Sequence, residues 1–416
     1  MANLLYLVHR LPYPPNKGDK LRSYHLLKHL VQRHRIYLGT FVDDPDDWQH
    51  LDVLRGLCAE VFALPLNSRL RRVASLGGLA TGQALTLRYY QSQRMQQWVA
   101  RTVAAQPMAA SLVFSSSMAP YAERHPELPM LLDLVDVDSA KWSAYADQHR
   151  GPLAWLYRRE GRALLAYERS AVARSSQSFL VTDKEVALFQ SLAPEVGRQV
   201  ETSCNGVDAE YFAPDAGRPN PFSIDELPLV FTGAMDYWPN ADAVCWFVDA
   251  VLPQVRQRWP SARLHIVGRN PTPAVRALAS EAVSVTGTVP DVRPYLQHAA
   301  VVVAPLRLAR GVQNKVLEAM AMARPVVAAT TCVQAIDAQP DRDILAAETA
   351  HEHAVKIEQL LAQPGRGQAI GLAARECVLQ HYSWPARLAG LDRCLNGLPA
   401  AAEPSPRRHL NQPEPA

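Results

Sequence analysis

The sequence predicts an α/β protein with two doubly wound, Rossmann-like domains that face a cleft. Short apolar runs rich in Val, Leu and Ile alternate with helical segments along most of the chain, a pattern typical of parallel sheets covered by helices. A length of 416 residues allows each domain its own core. A segment rich in Pro, GRPNPFSIDELP, separates the two series of runs. We therefore expect a first domain over residues 1–217 and a second over residues 218–382.

The apolar runs locate the strands in order. In the first domain they predict strands at residues 4–8, 36–42, 61–66, 112–115, 130–135, 178–182 and 199–203. In the second domain they predict strands at residues 229–232, 263–267, 283–286, 301–304 and 325–328. From residue 350 the pattern indicates helices, and residues 399–416, rich in Pro, Ala and Glu, are expected to be a disordered tail.

The composition excludes several classes of protein. A formal net charge of +3 is too small for a protein whose main partner is nucleic acid. The six cysteines never approach metal-ligand spacing, so we expect no metal, no cofactor and a reducing, cytoplasmic compartment. The N-terminus has too few apolar residues for a signal peptide, and no run is long enough for a membrane-spanning helix. The chain also lacks the fingerprints of dinucleotide and P-loop enzymes, α/β-hydrolases and HExxH zinc enzymes.

The stretch VVVAPLRLARGVQNKVLEAMAMARPVVA, residues 301–328, predicts a strand, a loop, a helix and a second strand. Such a loop faces the ligand crevice of a parallel sheet, and the helix after it presents unpaired N–H groups to that crevice. Arg310 and Lys315 place two cations there, and Glu318 lies three residues after Lys315 on the same helix face. Cations suit a diphosphate and a carboxylate suits ribose hydroxyls, so the sequence predicts nucleotide binding. The alternative is a surface ion pair worth only about 0.2–0.5 kcal/mol.

Glycines follow several predicted strands, where a ligand can approach the backbone. Lys17 and Gly18 lie in the loop HRLPYPPNKGDK after the first strand, and Gly233 and Gly268 directly follow two strands of the second domain. We predict ligand contact at these positions, and the alternative at each is a tight turn. Asn240 is predicted to cap a helix of the second domain.

Carboxylates cluster at the end of one strand of the first domain, in the segment LLDLVDVDSAKW. Asp136 and Asp138 are the candidates for binding an acceptor substrate, and Asp133 belongs to the same cluster. The alternative is that they cap the helix that starts near residue 139. Three serines that end the preceding strand, Ser116 among them, offer hydroxyls to a polyhydroxyl ligand.

Two stretches mix arginines with Leu, Trp and Tyr. One begins at Arg69 and ends at Tyr90, and the other begins at Trp155 and ends at Arg174. This composition is typical of a helix that lies in an anionic lipid interface, so we treat peripheral contact with a membrane as a hypothesis. The alternative is a helix that covers the core with its arginines in water.

In its motifs the chain resembles the retaining GT-B glycosyltransferases of the group 1, or family 4, type. The motifs lie in the expected order over residues 199–328 and are CNGVDAEYF, FTGAMDYWPN, LHIVGRNP, VTGTVPDVRPYL and APLRLARGVQNKVLEAMAMARPVVA. Together with VHRLPYPPNKGDKLRSYHLL at the N-terminus, they are most similar to exopolysaccharide sugar transferases associated with the exosortase (PEP-CTERM) system. The resemblance implies the GT-B fold, with a helix over residues 383–398 that crosses back to the first domain.

The resemblance also implies an activity, the transfer of a hexosyl unit with retention from a nucleoside-diphosphate sugar to an acceptor on the first domain. It assigns Lys315 to the donor diphosphate and Glu318 to the donor ribose, and it adds Arg269, Gly311 and Val312 to the donor site. No protein nucleophile and no metal is implied, because the donor phosphate accepts the proton of the acceptor.

The sequence departs from the family pattern at Arg310, where many members carry a glutamate near the donor sugar. We expect Arg310 to assist Lys315 at the diphosphate, and Asp136 or Asp138 to stand in for a catalytic-cleft histidine that the first domain lacks. Two alternatives stay open, a catalytically degenerate partner protein that binds sugar nucleotides and a nucleotide-sugar epimerase. The expected acceptor is a lipid-linked polysaccharide of exopolysaccharide biosynthesis, at the inner face of the cytoplasmic membrane.

Overall fold

The computed structural model describes residues 1–15, 18–147, 149–307 and 312–398. These residues form two compact units. Unit 1 contains Met1–Asn205 and the segment that begins at Leu388, and unit 2 contains Gly206–Arg387. Each unit has a parallel sheet with helices packed against it, so the predicted α/β fold class is confirmed.

Unit 1 is built on a seven-stranded sheet. Its strands are β1 (Asn3–Val8), β2 (Arg35–Val42), β3 (Glu60–Pro65), β4 (Met108–Phe114), β5 (Met130–Val135), β6 (Gln177–Leu180) and β7 (Val200–Thr202). They lie in the order β3-β2-β1-β4-β5-β6-β7, and all neighbours are parallel. The chain order reverses between β1 and β4, which opens a crevice at their carboxyl ends.

The helices of unit 1 follow local start signals in the sequence. They are α1 (Gly18–Leu30), α2 (Leu51–Leu57), α3 (Ser68–Ser75), α4 (Gly78–Thr81), α5 (Leu85–Tyr89), α6 (Gln93–Ala105), α7 (Ala119–Ala122), α8 (Asp138–Asp147), α9 (Pro152–Arg174) and α10 (Asp183–Leu192). Ser92 caps α6 and Thr182 caps α10, each by accepting a hydrogen bond from the first turn. Pro152 opens α9 at a position where no backbone N–H is needed.

A buried ion pair ties α1 to β5. Nε of Arg22 donates to Oδ2 of Asp133 over 2.8 Å, and Nη1 of Arg22 donates to Oδ1 of Asn205 over 3.1 Å. Burial raises the pKa of Asp133, and the guanidinium of Arg22 acts in the opposite direction. The pair therefore joins α1 to β5 through a direct hydrogen bond inside unit 1.

Unit 2 is built on a six-stranded parallel sheet. Its strands are β8 (Leu227–Thr232), β9 (Ala262–Val267), β10 (Val283–Gly287), β11 (Val301–Ala304), β12 (Val326–Ala329) and β13 (Leu345–Ala347). They lie in the order β10-β9-β8-β11-β12-β13, so the chain order reverses between β8 and β11. A ligand crevice is expected at the carboxyl ends of these two strands.

The helices of unit 2 are α11 (Trp238–Trp246), α12 (Leu252–Arg258), α13 (Pro273–Arg276), α14 (Arg293–His298), α15 (Asn314–Ala321), α16 (Thr330–Val333), α17 (Ala350–Ala362) and α18 (Pro364–His381). A π-helix, Phe247–Val251, joins α11 to α12. Within the described residues no helix is both long and apolar enough to cross a membrane.

The last described helix, α19 (Trp384–Asn396), enters unit 1 at Leu388. In unit 1, Asp392 lies 2.9 Å from Nε2 of His29 and accepts a hydrogen bond of 3.1 Å from Nη1 of Arg33. The tail predicted over residues 399–416 lies outside the described residues.

The division between the units falls at Asn205, before the position 217 expected from the sequence. The reason is that the intervening segment packs on unit 2. The backbone N–H of Val207 donates to the carbonyl of Tyr382 over 2.7 Å, and Val207, Ala209 and Phe222 belong to the core of unit 2. Residues 206–217, expected at the end of the first domain, therefore belong to unit 2.

Candidate functional site

The candidate site lies at the carboxyl ends of β8, β9 and β11 in unit 2. Gly233 follows β8, Gly268 follows β9, and a Cβ atom added to Gly268 would lie 1.6 Å from the carbonyl oxygen of Gly233. A Cβ atom added to Gly233 would lie 3.0 Å from Nζ of Lys315. Side chains at either glycine would displace their neighbours, and the structure brings the three predicted residues together.

Lys315 lies in the first turn of α15, and uncharged neighbours fix its ammonium group. Nζ donates a hydrogen bond of 2.5 Å to Oδ1 of Asn240 and lies 4.1 Å from the centre of the Phe231 ring. Burial lowers the pKa of Lys315 to about 8, while Cys332 and Glu318 act in the opposite direction. Among the described residues the ammonium has no ion pair within bonding distance, so its charge is available to an anion.

Glu318 follows one turn later on the same helix. Burial raises the pKa of its carboxyl to about 7, and Lys315 partly opposes the rise. The side chain keeps partial exposure, and no side chain or backbone group of the described residues donates a hydrogen bond to it. Such a carboxylate is suited to accept hydrogen bonds from the hydroxyls of a ligand.

The predicted capping role of Asn240 is wrong. Helix α11 begins at Trp238, before Asn240, with Tyr237 in the capping position. The buried amide of Asn240 instead donates to the carbonyl of Ala234 over 2.8 Å and accepts from Lys315. It therefore connects the loop after β8 to α15. Asn240 belongs to the motif FTGAMDYWPN, but Lys315 lies 75 positions away along the chain. The local sequence therefore does not reveal their contact.

Arg307 anchors the start of the loop between β11 and α15. Its Nε and Nη2 atoms lie 3.1 Å and 2.5 Å from the two carboxylate oxygens of Asp242 on α11. The predicted residues Arg310 and Gly311 come next and lie outside the described residues. The next described residue is Val312, whose side chain is exposed.

Two further predicted donor residues lie at exposed positions. The side chain of Arg269 makes no ion pair or hydrogen bond with the described residues, and its carbonyl accepts from the N–H of Met235 over 2.8 Å. In unit 1, Gly18 opens α1, and an added Cβ atom would have no neighbour within 4 Å, so sterics do not require glycine there. Lys17 lies outside the described residues.

The carboxylates predicted to bind the acceptor fall into two groups. Asp133 is buried against Arg22. Asp136 and Asp138 are partly exposed and share Lys141, whose Nζ lies 2.8 Å and 3.0 Å from their carboxylate oxygens. These two carboxylates raise the pKa of Lys141, although its burial acts against them. The structure thus separates Asp133, which is enclosed, from Asp136 and Asp138, which are open to solvent.

The serines after β4 begin at a residue with an unusual backbone conformation. Ser116 is buried, and the hydroxyls of Ser115 and Ser117 lie 2.9 Å apart. Ser115 has φ 76° at the end of β4, and Val135 has φ 68° at the end of the neighbouring β5. A positive φ at a residue other than glycine costs of order 1–3 kcal/mol, and such backbone strain concentrates at functional sites. No feature of the sequence indicates this strain.

In the part of the chain that the structure describes, no three His, Cys, Asp or Glu side chains are grouped so that they could hold a metal ion.

Comparison with known proteins identifies the class of unit 2. Residues 226–363 match the family model of glycosyl transferases group 1. This range holds all strands of the unit 2 sheet and the residues around Lys315. Unit 2 therefore contains a group 1 glycosyltransferase domain. No curated protein sequence matches the chain.

Solved structures extend the likeness to both units. HepE from Anabaena, solved in complex with UDP, matches with a TM-score of 0.60 at 13% identity, over 96% of this chain and 100% of that chain. Sucrose-phosphate synthase from Thermosynechococcus elongatus matches with a TM-score of 0.58 at 15% identity, over 95% and 98%. WaaG, a glycosyltransferase involved in lipopolysaccharide biosynthesis, matches with a TM-score of 0.55 at 16% identity, over 95% and 100%. The fold is GT-B.

Proposed function

We propose that the protein is a retaining hexosyltransferase that moves a sugar from a nucleoside-diphosphate donor to a lipid-linked polysaccharide. The observation that carries the proposal is the ammonium group of Lys315, which uncharged neighbours hold at the start of α15, one turn before Glu318. Both residues lie within the range that matches glycosyl transferases group 1.

The donor is bound through its diphosphate and its ribose. Lys315 and the positive end of α15 attract the diphosphate, and Arg310 adds a second cation. Glu318 accepts hydrogen bonds from the ribose hydroxyls. As the bond between the anomeric carbon and the diphosphate oxygen breaks, negative charge grows on the diphosphate. Lys315 stabilises that charge where it develops, which lowers the barrier.

The acceptor hydroxyl forms the new bond to the anomeric carbon on the face from which the diphosphate leaves. Its proton passes to the departing phosphate, so the configuration is retained and no protein nucleophile takes part. Asp136 of unit 1 is the candidate that orients the reacting hydroxyl, because its carboxylate is partly exposed.

The acceptor setting is the inner face of the cytoplasmic membrane, in exopolysaccharide biosynthesis of the exosortase-associated type. Support comes from the two basic amphipathic stretches of unit 1. In the first of them, Leu70 and Val73 of α3 are exposed beside arginines. Exposed apolar side chains beside arginines suit contact with an anionic membrane surface, where a lipid-linked acceptor would lie.

A thermal-shift panel of UDP-, GDP- and ADP-sugars tests the donor assignment. UDP-sugars are the first candidates because HepE was solved with UDP-glucose. A ligand at 100 times its Kd is expected to add about 2.7 kcal/mol of stability.

An assay of sugar transfer to a lipid-linked acceptor then separates the three candidate functions. A degenerate partner protein would bind a donor without transfer or hydrolysis, and an epimerase would convert UDP-N-acetylglucosamine with no acceptor present. Absence of stabilisation by every nucleotide sugar would contradict all three functions.

Affinity for UDP is expected to fall as the pH rises above about 8. Since burial lowers the pKa of Lys315 to about 8, its ammonium is charged below that pH and neutral above it. The diphosphate binds the charged form, so affinity falls by up to about tenfold per pH unit above the pKa. Calorimetric titration of UDP across this range measures the effect. Lys315→Arg is the control, because arginine keeps its charge, and an equal fall in that variant would contradict the explanation.

Glu318→Gln is expected to weaken donor binding by about 10- to 100-fold, since hydrogen bonds to a charged group contribute about 1.5–3 kcal/mol. The Kd values of UDP and 2′,3′-dideoxy-UDP measure the effect in both proteins. The wild type should prefer UDP strongly, and the variant should lose most of that preference. Glu376→Gln, an exposed position on α18, is the matched control. An unchanged preference in Glu318→Gln would remove Glu318 from the ribose site.

A further inference from the structure

Helix α3 of unit 1 is amphipathic, but its apolar side faces solvent and its polar side faces the protein. Leu70 and Val73 are 68% and 71% exposed, while Ser75 is buried. The polar side of the helix is the one that contacts protein, because Nη1 of Arg71 donates to the carbonyl of Gln91 over 2.6 Å. A helix that turns its apolar side outward lacks the burial that normally stabilises it, and it is suited to a lipid interface.

A cavity of about 360 Å³ lies beneath α3, between it and helices α5, α8 and α9. Its walls are mostly aromatic and aliphatic, and they include Leu85, Tyr89, Tyr90, Trp142, Leu156 and Tyr157. The rings of Trp142 and Tyr157 lie 5.4 Å apart and form one wall. The volume is within the range of about 300–1,000 Å³ that holds small-molecule ligands.

The polar side chains in the wall are largely engaged with protein. The carboxylate of Glu160 accepts hydrogen bonds from the N–H groups of Leu85 and Thr86 and from the hydroxyl of Thr86, over 2.7–2.8 Å. The hydroxyl of Ser75 donates to the carbonyl of Arg72 over 2.7 Å. Because Glu160 and Ser75 are already paired with protein and most of the wall is aromatic or aliphatic, the cavity favours a hydrocarbon ligand.

The carboxylate of Glu160 in the wall is 2% exposed and bonded to the N–H groups of Leu85 and Thr86, so the charge that faces the cavity is that of Arg72. Arg72 lines it, is exposed and has no ion pair or hydrogen-bond acceptor for its guanidinium among the described residues. The sequence over residues 61–122 contains no Asp or Glu and six arginines. An acidic headgroup beside the hydrocarbon chain would therefore meet an attractive field and no carboxylate from this segment.

We propose that this cavity holds the hydrocarbon chain of an anionic lipid, the carrier of the acceptor, with Arg72 at its phosphate and the apolar side of α3 in the membrane interface. The inference rests on the proposed function in that the acceptor is lipid-linked. It names unit 1 as the element that recognises the lipid part of the substrate.

Binding of short probes to the full chain tests the cavity without any transfer reaction. The probes are decyl phosphate, decyl maltoside and inorganic phosphate, all titrated calorimetrically, with the two decyl probes kept below their micellar concentrations. We expect decyl phosphate to bind most tightly, decyl maltoside more weakly and phosphate not measurably. Leu156→Trp fills the cavity and should lower the affinity for both decyl probes at least tenfold. Arg72→Gln should lower only that for decyl phosphate.

Equal binding of the decyl probes by wild type and Leu156→Trp would overturn the proposal, and so would measurable binding of inorganic phosphate equal to that of decyl phosphate. Stabilisation by UDP should be the same in wild type and Leu156→Trp, which separates failure of this inference from failure of the donor assignment.

Flotation with phosphatidylglycerol vesicles tests whether α3 contacts the membrane. Val73→Glu should reduce vesicle binding at least fivefold, and Leu372→Glu, at an exposed leucine of unit 2, should not. Equal flotation of the two variants would refute the interfacial role of α3.

Discussion

Lys315→Ala is expected to reduce kcat for sugar transfer by about 10²–10³-fold, by analogy with the loss of one oxyanion-hole donor. The ammonium group is held 2.5 Å from Asn240 and over the ring of Phe231, so it is in place before a donor binds. A preorganised charge of this kind costs no reorganisation when the diphosphate leaves. Initial rates of transfer from the donor that the thermal-shift panel selects measure the effect.

The fold is expected to survive this change, because the variant removes a partly desolvated charge from the end of a short helix and leaves the core of unit 2 unaltered. Circular dichroism and the thermal midpoint should match the wild type closely. Lys356→Ala is the matched control, since Lys356 lies on α17 and pairs with Asp341 over 2.6 Å. It should transfer sugar at the normal rate. Near-normal turnover in purified Lys315→Ala would reject the assigned role of Lys315.

Asp133→Ala is expected to destabilise unit 1 by about 3–5 kcal/mol, because it leaves the guanidinium of Arg22 buried without its carboxylate. The two side chains are only 1% and 3% exposed, and their hydrogen bond is 2.8 Å long. Asn205 also accepts from Arg22, over 3.1 Å, but a neutral amide cannot compensate a buried charge. Urea unfolding read by hydrogen exchange of the β1 and β5 amides reports unit 1 separately.

Two comparisons make this result specific. Asp52→Ala removes the exposed partner of Arg55 and should cost at most about 1 kcal/mol. The double variant Arg22→Met, Asp133→Leu replaces the whole pair with apolar side chains and should recover most of the lost stability. If Asp133→Ala is no less stable than Asp52→Ala, breaking the buried pair does not cost the expected 3–5 kcal/mol, about the value for such pairs.

The sequence predicted the fold class because its strands have a strong local signal. Val301 to Ala304 is a continuous β-branched apolar run, and such runs become the central strands of a parallel sheet. The edge strand β13, Leu345–Ala347, escaped prediction because it is three residues long and contains two alanines. The expected boundary at residue 217 differs from the division at Asn205, because a Pro- and Gly-rich composition does not reveal that Val207 packs on unit 2.

The candidate site was predictable only as far as contacts are local. Lys315 and Glu318 share one helix, so their spacing shows in the sequence. The hydrogen bond from Lys315 to Asn240 joins residues 75 positions apart, and the pairing of Arg22 with Asp133 spans 111. Neither follows from propensity or periodicity, since both depend on how separate elements meet in the folded chain.

The return of the chain at Leu388 has a consequence for biosynthesis. Domains usually fold one after another as they leave the ribosome, the N-terminal one first. In this protein His29 and Arg33 of unit 1 pair with Asp392, which is translated after all of unit 2. Unit 2 is complete before unit 1 is, although unit 1 contains the first half of the chain. A released chain that ends at residue 387 would therefore contain all of unit 2 but lack the segment that completes unit 1.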